Sequence, residues 1–117
     1  MKKLLVLAAA ASMMGLATTG FAFGNPEKGK EKSQVCAACH GVDGNGVEGQ
    51  TTYPKLAHQV PGYIAAQLKD FKSGARQDPI MMGMVAALSE EDMYDLDAYY
   101  SKQKPAPVGI RPEDEEL

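Results

Sequence analysis

Cysteine occurs only twice and histidine only twice in the 117 residues. That scarcity weighs against a closed structural zinc site, which needs four ligands and would have to use all of them. Beyond Cys36, Cys39 and His40, only His58 is left to contribute, and it stands on a different segment. No stretch alternates apolar and polar residues over a useful strand length, so no sheet is expected, nor the βαβ setting of a thioredoxin-like dithiol. The uninterrupted apolar run, residues 4–11, is short of the ~20 residues that span a bilayer. There is no internal repeat. Cations are also in short supply. Setting aside Lys2 and Lys3, 10 Lys and Arg face 15 Asp and Glu, a balance near −5 that excludes nucleic acid as a partner and suits one with a basic docking patch.

What is present is concentrated in five residues, Cys36-Ala-Ala-Cys39-His40. Cys-x-x-Cys followed at once by His is the pattern of covalent c-type haem attachment. Two thiols one helical turn apart can each bond one of the two vinyl groups of a single haem. The next residue, His40, then lies under the iron and offers an imidazole nitrogen. A structural disulfide would not require the adjacent His. The start of the chain agrees. Met1, Lys2 and Lys3 precede the apolar run, and Gly20-Phe21-Ala22 has the form of a small-x-small cleavage site, so residues 1–22 read as a secretory signal peptide. The chain is therefore expected outside the cytoplasm, as a periplasmic protein with no membrane span after cleavage.

The remainder reads as one all-α domain, residues 23–104, followed by an acidic, proline-rich tail, 105–117, expected to be disordered. Asn25 and Pro26 start a first helix, as N-cap and N1, that is predicted to run to the Cys39-His40 end. Gly41, Gly44, Gly46 and Gly49 break regularity and predict a loop. Pro61 opens a second helix with Ile64, Leu68 and Phe71 at buried-stripe spacing, and Gly74 ends it. Ser89 and Asp92 have capping-box spacing before a last helix carrying Met93, Leu96, Tyr99 and Tyr100.

The chain resembles the small monohaem class I cytochromes c of the bacterial periplasm. The resemblance covers residues 26 to about 103. It rests on the haem motif with Gly41 and Asp43-Gly44-Asn45-Gly46, then Tyr53-Pro54-Lys55-Leu56 with Gln59. It continues through Tyr63 to Arg76, Asp78-Pro79 before the methionines, and Leu88-Ser89 before Leu96 and Tyr99-Tyr100. It implies the cytochrome c fold, about four short helices around one haem. It also implies a one-electron carrier rather than an enzyme, exchanging electrons with other redox proteins. An oxidoreductase-bound cytochrome subunit and a haem sensor with an open distal site are the alternatives. The family register, seven residues before Leu88, points to Met81 as the second iron ligand, in a segment that need not be helical, with Met82 and then Met84 behind it. Met ligation raises the potential relative to two histidines.

The resemblance also implies that the Pro54 carbonyl accepts from His40 Nδ1. Tyr63 and Arg76 become candidates for contacts at the haem edge. His58 stands where relatives often have Gly, and is expected at the surface or facing a propionate rather than on iron. The first and last helices should cross near Gly29, against Leu96 and Tyr99 or Tyr100. Lys32-Ser33 departs from the apolar residue usual one turn later, which shifts the expected contact to Val35.

Overall fold

The computed structural model describes residues 24–106; residues 1–23, which include the expected signal peptide, and 107–117 lie outside them. Among the described residues there are five helices, a 3-10 turn and no strand. They are α1 (Pro26–Lys32), the turn (Ser33–Val35), α2 (Ala37–His40), α3 (Tyr63–Ser73), α4 (Pro79–Val85) and α5 (Glu90–Ser101). No described helix is long and apolar enough to cross a membrane.

The expected single first helix is broken. Asn25 Oδ1 accepts from the backbone N–H groups of Glu27 and Lys28, and Pro26 occupies the first turn, as the sequence indicates. After Lys32 the coil tightens into the 3-10 turn, whose side chains carry no cap, and only then does α2 bring Cys36 to His40 round. Gly41, at φ 86°, ends it.

Helix α5 is the centre of the molecule. Met93 and every residue from 95 to 100 are buried, so it is enclosed on nearly all sides rather than along one stripe. Its start is a complete capping box between Ser89 and Asp92. Packed on it are Ile64, Leu68 and Phe71 of α3, with Val85 of α4 in the same cluster. At the crossing of α1 and α5 stands Gly29. A Cβ there would lie 1.9 Å from the Asp95 carbonyl oxygen and 2.8 Å from Tyr99 Cβ. The crossing is thus where the sequence placed it, with Asp95 and Tyr99 as the opposing residues.

Polar groups fasten α5 to its neighbours. Asp95, 2% exposed, accepts from Asn25 N and from Lys32 Nζ, both at 2.6 Å. Lys32 Nζ is also 2.6 Å from Asp92. Lys32, which the sequence marks as weakening the interlock, therefore replaces an apolar contact by an ionic one; Val35 does not take that role and is 67% exposed. Asp97, 3% exposed, accepts from Gly62 N at 2.9 Å and Ala65 N at 3.0 Å. Gly62 precedes α3 and has no side chain to cap it, so a carboxylate from α5 supplies the cap.

The Lys32 ammonium, with Ser89 N–H, holds the Asp92 carboxyl at about 2, below its ordinary range. Burial would raise the Asp95 carboxyl, but Lys32 and Asn25 N–H outweigh it and lower it. Asp92 and Asp95 raise Lys32 in turn. Depressed carboxyls stabilise the fold fully above their unfolded value of about 3.9 and cease to do so below their folded value. Raised Lys32 keeps its contribution below about 10.4. The expected melting profile is flat for these groups across neutral pH and falls between about pH 4 and pH 2. Asp92→Asn should flatten that acid limb in thermal melts, and an unchanged limb would count against the pairing.

The C-terminal segment is tied back onto the loop after α2. Asn45 Nδ2 donates to the Lys104 carbonyl at 3.0 Å, and its Oδ1 accepts from Ala106 N at 2.6 Å. The second bond reaches Ala106, in the first part of the tail. His58 is exposed, with φ 61° in the left-handed region, and its N–H donates to the Tyr100 carbonyl at 2.9 Å. That backbone explains the frequent glycine in the resemblance. His58→Gly is expected to leave the fold intact and raise stability by up to about 1 kcal/mol, the left-handed strain less glycine's chain entropy. Denaturant titration reads the sign.

Candidate haem site

A cavity of about 470 Å³ opens between α2, the loop after it, α3, α4 and α5. Such a volume is in the range of cofactor sites. Cys36, Cys39 and His40 form one part of its wall, Met81 another. The rest is largely apolar, with Leu56, Ile64, Leu68, Phe71 and Leu96 among the lining residues.

Helix α2 sets the first group. His40 N donates to the Cys36 carbonyl at 2.9 Å, which closes one turn and puts the two half-buried thiols and the imidazole on one short stretch. His40 is 6% exposed, and its Nδ1 donates to the Pro54 carbonyl at 2.8 Å. That bond leaves Nε2 as the nitrogen free to accept or to ligate. The loop carrying Pro54 is anchored close by, since Leu56 N donates to the Gly44 carbonyl at 2.7 Å and Gly46 N to the His40 carbonyl at 2.7 Å. Pro54 supplies only its carbonyl, which needs no particular side chain.

Helix α4 sets Met81. The segment is helical from Pro79, because Asp78 caps it: Asp78 Oδ1 accepts from Met81 N at 2.9 Å, and Pro79 sits at the first position. Met81 is half-buried and packed against the core. Met84, one turn on, also lines the cavity, whereas Met82 does not. Met93 is 2% exposed in the core of α5, as its position in the helix indicated.

Tyr63 and Arg76 both line the cavity. Arg76 donates to Gln67 Oε1 at 2.8 Å and lies 4.7 Å from the Phe71 ring centroid. His58 is not among the lining residues. Spacing alone does not mark Asp97 as the cap of α3. Its only signal is a pair of carboxylates, Asp95 and Asp97, two apart in a stretch, residues 93–100, that is otherwise apolar and aromatic. Tyr100, whose hydroxyl faces no partner, was likewise read only as packing.

The donor set fits a covalently held haem. Two thiols and an imidazole stand on one turn, a thioether lies elsewhere on the wall, and the cavity between is apolar. Among the described residues no group of three or more His, Cys, Asp and Glu side chains could hold a bare metal ion. The comparisons with known proteins agree. The family model described as cytochrome c matches residues 26–104. Cytochrome c4 of Pseudomonas aeruginosa is 40% identical over 91 residues, covering 78% of this chain and 44% of that protein. A thiosulfate dehydrogenase electron acceptor of Stutzerimonas stutzeri is 45% identical over 75 residues, covering 64% of this chain and 34% of the relative. The crystal structure of reduced cytochrome c4 from Pseudomonas stutzeri superposes with a TM-score of 0.66 at 41% identity, over 71% of this chain and 47% of that one. The chain spans less than half the length of these relatives. It belongs to the cytochrome c family, whose fold it has and whose members carry haem c covalently on two cysteines.

Proposed function

We propose that the chain is a periplasmic one-electron carrier, holding a single haem c through Cys36 and Cys39 with His40 and Met81 as axial ligands. One observation carries the reading. A single apolar cavity gathers both thiols, the His40 ring and the Met81 thioether. When bound, the haem supplies one iron that takes up and releases one electron. The residues of the chain do the rest. Cys36 and Cys39 anchor the group on a protein too small to enclose it by contacts alone. The Pro54 carbonyl fixes the His40 ring and raises its basicity. Asp78 fixes the first turn of α4 and, with it, the Met81 backbone. Ile64, Leu68, Phe71 and Leu96 keep water from the interior face. No acid–base pair needs to act on a substrate in this scheme, which is why we assign no enzymatic activity.

The partners are redox proteins. The charged side chains at the cavity are Lys55, Arg76 and Asp78, the last occupied in capping α4. The carboxylates that would suit a basic partner surface stand instead at the start of α5, Glu90 and Glu91, and in the tail. A second reading, a cytochrome held by a periplasmic oxidoreductase, draws support from the relative that accepts electrons from thiosulfate dehydrogenase.

An absorption spectrum of the exported protein tests the central reading. Reduced protein should show sharp low-spin bands, and the pigment should stay with the polypeptide through acid–acetone. Pigment that separates, or a colourless product, would end it. Rapid carbon monoxide binding at neutral pH would replace the carrier by an open-site haem protein. Co-purification with a partner, lost on deleting 107–117, would establish the second reading.

A further inference from the structure

Tyr100 carries the one buried side-chain polar atom that lacks a hydrogen-bond partner among the described residues. The residue is 1% exposed. Buried hydroxyls are rarely left so. Its neighbour shows the normal outcome. Tyr99, with ring centroids 5.1 Å away, donates its hydroxyl to the Val42 carbonyl at 3.1 Å. The Tyr100 ring is fixed from the other side by Gly44, where a Cβ would lie 2.8 Å from Cδ1. The orphan hydroxyl is therefore not a loosely placed group.

Tyr100 and Cys36 line the same cavity, and Cys36 packs against the cluster that contains Tyr100. Burial pushes the Tyr100 phenol up, and the adjoining Cys36 side chain adds to it. Burial likewise pushes up the Cys36 thiol, opposed by the Tyr100 hydroxyl. The phenol thus keeps its proton at any physiological pH and remains a donor. The Ser33 hydroxyl beside them already donates to the Lys30 carbonyl at 2.8 Å.

We propose that Tyr100 is a positioning residue for haem attachment, its hydroxyl donating to the sulfur of Cys36. The proposal rests on the reading of Cys36 as an attachment point. A thiol bonded to a vinyl group has lost its proton and can only accept, and sulfur accepts weakly. A buried donor that makes no hydrogen bond in this structure matches that need. Tyr100 holds Cys36 in one rotamer against α5 while the bond forms. With a haem bound through Cys36, the positive end of its O–H dipole would point at the attachment sulfur and disfavour the oxidised, more positive state. The hydroxyl therefore raises the potential.

The test uses the full-length exported protein carrying its haem. Tyr100→Phe keeps the ring and removes the hydroxyl. Its midpoint should fall, by about a two- to fourfold shift of the one-electron equilibrium toward the oxidised form, where tenfold is 59 mV. The carbon–sulfur stretching band in resonance Raman should move with it. Tyr99→Phe is the control: it should lower the melting temperature and leave midpoint and band in place. In wild-type protein transferred to deuterium oxide and unfolded and refolded to exchange the hydroxyl, the same band should shift, with no substitution at all. A midpoint that stays or rises in Tyr100→Phe, or a band indifferent to deuterium, overturns the proposal. Wild-type protein without covalent pigment would instead overturn the attachment reading itself.

Discussion

Met81→Ala is expected to erase the weak near-infrared sulfur-to-iron band of the oxidised protein and to drop the midpoint by more than any other single substitution that preserves attachment. The reasoning starts at Asp78. Its carboxylate caps α4 through the Met81 N–H, so the backbone at 81 is set by a hydrogen bond that does not involve the methionine side chain. The variant therefore keeps the helix and loses only the thioether. Thioether ligation favours the reduced state, so the potential falls when it goes. The vacated position should then take carbon monoxide quickly, which the wild type should refuse. Met84→Ala is the companion measurement. Met84 lines the same cavity and is 41% exposed. A near-infrared band that survives Met81→Ala and vanishes in Met84→Ala would move the assignment by one turn.

Gly29→Ala should produce the largest loss of stability on the surface of α1. The new methyl carbon would stand 1.9 Å from a backbone oxygen of α5. A flexible side chain could move aside; a helix carbonyl in the most buried element cannot do so alone. Relief requires α1 to lift from α5, which stretches the bonds of Asp95 to Asn25 N and Lys32 Nζ, both 2.6 Å long. A cost of about 3 kcal/mol is expected, at the upper end of overpacking, from a domain whose whole stability is of the order of 5–15 kcal/mol. Denaturant titration with haem bound measures it. Lys30→Ala, an exposed change on the same helix, should stay within about 0.5 kcal/mol. A Gly29→Ala loss as small as that would mean the helices do not meet at this position.

Which features the sequence discloses follows from how local their causes are. The Cys36–His40 group, the Asn25-Pro26 start and the Ser89–Asp92 box depend on residues a few positions apart, and spacing alone exposes them. The stripe of Ile64, Leu68 and Phe71 is equally local. The break between α1 and α2 has no proline or glycine to announce it; it comes from the tightening of residues 33–35. The helical state of Met81 is open in the sequence, although Asp78 followed by Pro79 has the form of an N-cap and first helical position. Asp95 and Asp97 were illegible for a different reason. Each bonds backbone or ammonium groups more than 30 residues away, and no spacing rule reaches across the fold. Lys32 shows the same limit: in sequence it is a missing apolar contact, in the fold an ionic one.

The two bonds from Asn45 give the end of the described chain a fixed address. Lys104 and Ala106 are clipped to the very loop whose Gly46 N–H holds the His40 carbonyl. Anything spliced downstream of that clip, whether a purification handle or a tandem cytochrome unit, would set out from the loop that holds the His40 carbonyl instead of from a free stalk, and mechanical pull on it would be felt first at Asn45.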